Sequence, residues 1–111
     1  GWQPHKKKIA ALSKKLDKKV IFTEYGYRSM DFTGKEPWDS SRKGKVLNLE
    51  AQEIALQALY NEFWKEDWFA GGFIWKWFHN YEKSGGLENH QFTPQNKPAE
   101  NIVRENYKLY Q

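Results

Sequence analysis

Val20-Ile21-Phe22-Thr23-Glu24-Tyr25-Gly26-Tyr27 is an apolar, β-branched and aromatic run that closes on a carboxylate and a glycine. Such a run predicts a buried strand that delivers Glu24 to its C-terminal end. A glutamate costs several kcal/mol to desolvate unless it is paired, hydrogen-bonded or left at a wet rim, so its place here needs a reason. One reason is the rim of an α/β sheet, where strands present catalytic groups. The other is that Glu24 is simply the first solvated residue after a core strand; the stretch alone is compatible with both.

Upstream of the strand, Pro4 suits the first turn of a helix because it has no N–H to lose. Ile9, Leu12 and Leu16 recur at helical spacing among Lys6, Lys7, Lys8, Lys14 and Lys15, which predicts an amphipathic helix to about Leu16. Asp17-Lys18-Lys19 is then a tight connection. Downstream, Tyr27 to Val46 contains Gly34, Pro37, Ser40, Ser41 and Gly44 without periodicity and predicts a long loop of the kind that carries function, with Tyr27, Arg28 and Trp38 to bind with. Asn48 is a good N-cap with Glu50 in the first turn, and Leu49, Ile54, Leu56, Leu59, Tyr60 and Phe63 form the apolar stripe of a second helix ending near Trp64. Trp68 to Phe78 is dense in aromatics around Gly71-Gly72 and predicts a second strand, with Phe73, Trp75 and Trp77 on one face and Ile74, Lys76 and Phe78 on the other. A polar loop runs from His79 to Lys97, and Pro98 opens a last helix with Ala99, Ile102, Val103, Tyr107 and Tyr110 along one side.

The order helix, strand, helix, strand, helix implies an α/β fold with parallel strands and functional loops after the strands. Two parallel strands cannot make a complete sheet, because their outer edges and apolar faces would lack cover. The 111 residues therefore predict a single but incomplete domain, part of a larger barrel, that pairs with the missing portion or with a second copy of itself.

Composition limits the functions available. Aromatic residues make up 17% of the chain, with 6 Trp, and their flat apolar faces suit sugars, nucleobases and interfaces alike. A net charge of +4 favours nucleic acid, but the lysines cluster on the solvent face of the first helix and are not interleaved with the aromatics. No nucleic-acid partner is expected. No window approaches the roughly 20 apolar residues of a membrane span, so no membrane partner is expected either. Cysteine is absent, which removes disulfides and thiolate metal sites. No metal cluster, phosphate-cradling loop or nucleophilic Ser or Cys arrangement is evident, and no cofactor is implied.

The Val20–Tyr27 run, Gly72-Phe73-Ile74-Trp75-Lys76-Trp77-Phe78 and Phe92-Thr93-Pro94-Gln95-Asn96-Lys97-Pro98-Ala99 together resemble, in order and spacing, the last third of a clan A glycoside hydrolase barrel. The nearest likeness is to glycoside hydrolase family 113, described as endo-β-1,4-mannanases. The resemblance implies that the segments are helix 6, strand 7, helix 7, strand 8 and helix 8 of a (β/α)8 TIM barrel. It implies a retaining hydrolase of β-linked polysaccharide with Glu24 as nucleophile and the acid/base glutamate on strand 4, upstream of this sequence. Glu36, Glu82 and Glu88 lie in loops and match no family motif for the acid. Strand 8 is where the family places an aromatic platform, so Trp75 and Trp77 are candidate sugar contacts, Trp77 preferred as nearer the strand's end. Tyr27, Trp38 and His79 follow strand ends and can line the cleft. Gly85 to Gln91 departs from the acidic turn expected of relatives. A non-catalytic carbohydrate-binding module is the alternative; such modules are usually β-sandwiches, and the helical stripes oppose it.

Overall fold

A computed structural model describes residues 1–39, 41 and 45–110. Ser40 and Gly44, two of the residues that mark the first long loop, lie outside the described residues. The element order is α1 (Gln3–Leu16), β1 (Val20–Tyr25), α2 (Leu49–Phe63), β2 (Phe69–Ile74), a single 3-10 turn (Tyr81–Lys83) and α3 (Pro98–Leu109). β1 and β2 are parallel neighbours in a two-stranded sheet, joined by α2 as in a βαβ unit.

The helix ends follow their sequence signals. Asn48 caps α2 by accepting from Ala51 N–H at 2.9 Å, and prolines open α1 and α3. Asp17, in the left-handed region at φ 51°, turns the chain out of α1 toward β1.

The core lies between the sheet and α2. Phe63, fully buried, meets Trp2, Phe22 and Trp68 edge-on at centroid distances of 5.3, 4.9 and 6.2 Å, and Tyr25 and Tyr60 each pack edge-on against Trp64. The Tyr25 hydroxyl is shared with those of Tyr60 (3.0 Å) and Tyr107 (2.7 Å), which links β1, α2 and α3. Burial, reinforced by the neighbouring hydroxyls, pushes the Tyr25 phenol well above its ordinary pKa.

Several expectations are corrected. β1 is not buried on both faces: Ile21 is 49% exposed, and Thr23 and Glu24 are exposed as well. Among the described residues nothing covers the face opposite the helices, and the slab is only 19 Å thick with a radius of gyration of 14.7 Å, above the ~13 Å of a closed domain of this length. Leu12 and Leu16 of α1 are exposed as well, and only Ile9 of that stripe joins the core. In α2 the buried face is Gln52, Leu56, Leu59, Tyr60 and Phe63, whereas Ile54 is 61% exposed because it lies out of phase with them. β2 stops at Ile74 rather than Phe78, so strand parity does not sort the residues from Trp75 to Phe78 into faces.

Candidate active site

Glu24 owes its setting to an irregularity in β1. The register with β2 shifts between Phe22 and Tyr25, so both of these rings face the helices although they are three positions apart. Thr23 and Glu24 are left exposed between them, at the C-terminal end of the strand. One residue on, Gly26 lies against the carbonyl of Trp75, and a Cβ there would sit 2.0 Å from that oxygen. This close approach places the carboxylate-bearing end of β1 beside the first tryptophan after β2.

The result is a cleft of about 580 Å³ along the free edge of β1, whose walls include Glu24, Tyr27, Pro37, Trp38, Trp75 and Phe92. Three of the aromatic residues singled out by sequence, Tyr27, Trp38 and Trp75, therefore meet Glu24 in one concavity. Tyr27 is a buried wall, and burial raises its phenol pKa. Trp38 and Trp75 are 77% and 45% exposed. Trp77 and His79 stand outside this cleft. Trp77 stacks with Tyr81 at 6.4 Å and 29°, while Lys76 lays its ammonium over the rings of Trp75 and Phe78. Among the described residues lining the cleft, Glu24 is the only carboxylate; Glu36 lines a separate small recess with Asp39 and Lys45. No group of three or more His, Asp or Glu converges as a metal site among the described residues.

The loops behind the cleft are tied together by polar side chains, most of which sequence reasoning passed over. Gln52 donates from Nε2 to the carbonyls of Tyr27 and Phe92, each at 3.0 Å, joining α2 to both loops. Its signal was present: position 52 is in helical phase with 56, 59 and 63, but its polar side chain hid it from a search for apolar residues. Lys97, just before α3, donates from Nζ to Ser29 Oγ (3.0 Å) and the Gln91 carbonyl (2.9 Å). The Ser29 hydroxyl donates a hydrogen bond to the Asn89 carbonyl, and Arg28 donates to Gln91 Oε1 at 2.8 Å while lying over the Phe92 ring. The sequence marks Arg28 as a residue of the first loop to bind with, and Lys97 as part of the motif at residues 92–99, but no sequence pattern marks these contacts.

Lys97 is only 4% exposed, and burial, with Arg28 nearby, lowers its pKa to about 8. Between that value and the 10.5 of the unfolded chain, the unfolded state holds a proton that the folded state has released, so raising the pH favours folding. From pH 7.5 to 10 the unfolding free energy is expected to rise relative to Lys97→Met by on the order of 2 kcal/mol. Urea titrations of both proteins at the two pH values read this difference, and parallel pH profiles would refute it.

A family model for Glycoside Hydrolase Family 113 matches residues 1–97. The chain belongs to glycoside hydrolase family 113. Solved structures of the family agree in fold. The GH113 β-mannanase AaManA from Alicyclobacillus acidocaldarius, in complex with ManMIm, is 24% identical with a TM-score of 0.80, over 97% of this chain and 35% of that one. A GH113 β-1,4-mannanase gives 24% identity and a TM-score of 0.82, over 96% and 35% of the two chains. A complex of a GH113 β-1,4-mannanase gives 23% and 0.79 over the same shares. No curated protein matches. This GH113 chain thus spans about a third of the length of the solved structures that it matches, and corresponds to part of their α/β barrel.

Proposed function

We propose that residues 1–111 form one side of the catalytic cleft of a retaining glycoside hydrolase that acts on β-linked polysaccharide, β-mannan in the first instance, with Glu24 as its nucleophile. The observation that carries this reading is the position of Glu24 at a strand end, in one cleft with Trp38 and Trp75, in a chain of family 113. In such a mechanism one Glu24 oxygen attacks the anomeric carbon as the glycosidic C–O bond breaks, and a second carboxylic acid about 5 Å away gives its proton to the leaving oxygen. Water then hydrolyses the glycosyl ester with that second group acting as base, and the configuration is retained.

Trp75 and Trp38 supply apolar faces for the sugar beside Glu24, Tyr27 closes the wall behind it, and Trp77 serves a sugar unit outside the cleft; His79 has the weakest support of the sequence candidates. The acid/base comes from the portion of the barrel beyond residues 1–111, as strands 7 and 8 hold only the nucleophile's side, and the chain alone is inactive. The free edges support completion by further strands: the Glu24 cleft follows β1, and a second hollow of about 370 Å³, lined by Ile21, Gly71, Gly72, Phe73 and Tyr107, follows β2.

A chimaera in which residues 1–111 replace the corresponding third of a GH113 β-1,4-mannanase tests the reading. It is expected to hydrolyse β-mannan with β-configured product appearing first, followed by NMR of the anomeric proton. Initial α-product would sink the retaining assignment.

A further inference from the structure

The last rung between the strands is Trp75 N–H to the Tyr25 carbonyl, and after it the aromatic segment leaves the sheet. At Phe78 the chain is caught again. Phe78 N–H donates to Gln95 Oε1 at 2.7 Å, and its carbonyl accepts from Gln95 Nε2 at 3.0 Å. One side-chain amide thus satisfies both backbone groups, as a residue of an antiparallel neighbour strand would.

Gln95 is itself completely buried and held. Thr93 Oγ1 donates to its Oε1 at 2.7 Å and accepts from its N–H at 3.1 Å, and its carbonyl accepts from Gly86 N–H. Gly85, at φ +70°, lies so close to that carbonyl that a Cβ would stand 1.8 Å from the oxygen. Asn96 continues the clasp by donating to the carbonyls of Tyr81 (2.8 Å) and Ser84 (2.9 Å). Glu100 accepts from Asn96 N–H and from the Tyr81 hydroxyl. Two consecutive residues therefore fix both rings of the exposed Trp77–Tyr81 stack: Trp77 through the residue that follows it, Tyr81 through its carbonyl and, by way of Glu100, its hydroxyl.

We propose that Gln95 is a positioning residue for glycan binding: by pairing with both backbone groups of Phe78 it holds Trp77 against Tyr81 as an aromatic platform outside the Glu24 cleft. The sugar rests on the glycosidase reading above, whereas the clasp rests on geometry alone. Loss of the amide strands a donor and an acceptor at Phe78 and frees the segment that carries Trp77. An ionised carboxylate at position 95 still accepts from Phe78 N–H but gives nothing to its carbonyl; protonation restores the donor.

NMR hydrogen exchange on the 111-residue chain reads the clasp. Once intrinsic rates are removed, Gln95→Met is expected to speed exchange of the Phe78 amide by about tenfold or more while the β1 amides stay unchanged. Gln95→Glu, whose carboxylate still accepts from Phe78 N–H, is expected to keep that amide protected within about threefold of the unsubstituted chain, whereas a pure packing role would make the two similarly sized variants behave alike. In the chimaera, Gln95→Met is expected to lower kcat/KM on β-mannan about tenfold, chiefly through KM, yet to change the Trp77→Ala variant by less than about twofold. Unchanged Phe78 exchange in Gln95→Met, exchange in Gln95→Glu as fast as in Gln95→Met, or an undiminished tenfold loss in the Trp77→Ala background would overturn the proposal. A chimaera inactive on mannan, with the Phe78 amide protected in Gln95→Glu and exposed in Gln95→Met, would overturn the glycan role together with the glycosidase reading, and leave the backbone clasp.

Discussion

Glu24→Gln in the barrel chimaera is expected to lower turnover of β-mannan at least about a thousandfold while KM and melting temperature change little. The amide is nearly the same size as the carboxylate and keeps an oxygen at the same place, but it has neither the charge nor the nucleophilicity to form a glycosyl ester. Since Glu24 is exposed at the strand end, the exchange takes no packed group from the core. A structural role for Glu24 would show the reverse pattern, with stability lost and turnover retained. Steady-state kinetics with a thermal melt of each protein distinguish the two.

Gly26→Ala is expected to be among the most damaging small substitutions in the chain. The added methyl would lie 2.0 Å from the Trp75 oxygen and 3.1 Å from its carbonyl carbon, both backbone atoms that cannot swing aside. Nor can the two segments part easily, because Trp75 N–H is bonded to the carbonyl of Tyr25, immediately before Gly26. Relief requires breaking that rung and spreading β1 from Trp75, at about 4 kcal/mol, a large share of the 5–15 kcal/mol that holds a typical domain together. Gly34→Ala, where no atom lies within 4 Å of the new Cβ, is the control, with an expected change within about 0.5 kcal/mol. Equal denaturation midpoints for the two variants would mean that the Gly26–Trp75 approach is not a constraint.

The architecture was legible because its signals are local. Pro4, Asn48 and Pro98 mark helix starts, and the apolar run from Val20 reads as a strand whatever its surroundings. The family resemblance was legible for a similar reason, since three short motifs keep their order and spacing. What misled was periodicity carried past its cause. Trp75, Trp77 and Phe78 continue the aromatic composition of β2, but strand pairing ends at Ile74 and a loop glutamine takes over at Phe78. Ile54 drew attention for its apolarity although Gln52 occupies the buried phase. The polar residues Gln52, Gln95 and Lys97 each make a contact at least 17 and up to 68 positions away in sequence, and no spacing rule reaches that far. The cleft was only half legible: Glu24 and its aromatic company could be named, but that Trp75 joins Glu24 while Trp77 turns to Tyr81 depends on the path after Ile74.

Covalent trapping of the nucleophile tests the central claim most directly. A 2-deoxy-2-fluoro-β-mannosyl fluoride slows hydrolysis of the glycosyl ester more than its formation, so a retaining enzyme accumulates the intermediate. Incubated with the chimaera and digested, it is expected to yield one peptide heavier by a fluoromannosyl group, with the label on Glu24, and no adduct in the Glu24→Gln variant. Label on any other carboxylate of an active chimaera, or stoichiometric label in the Glu24→Gln variant, would contradict the account.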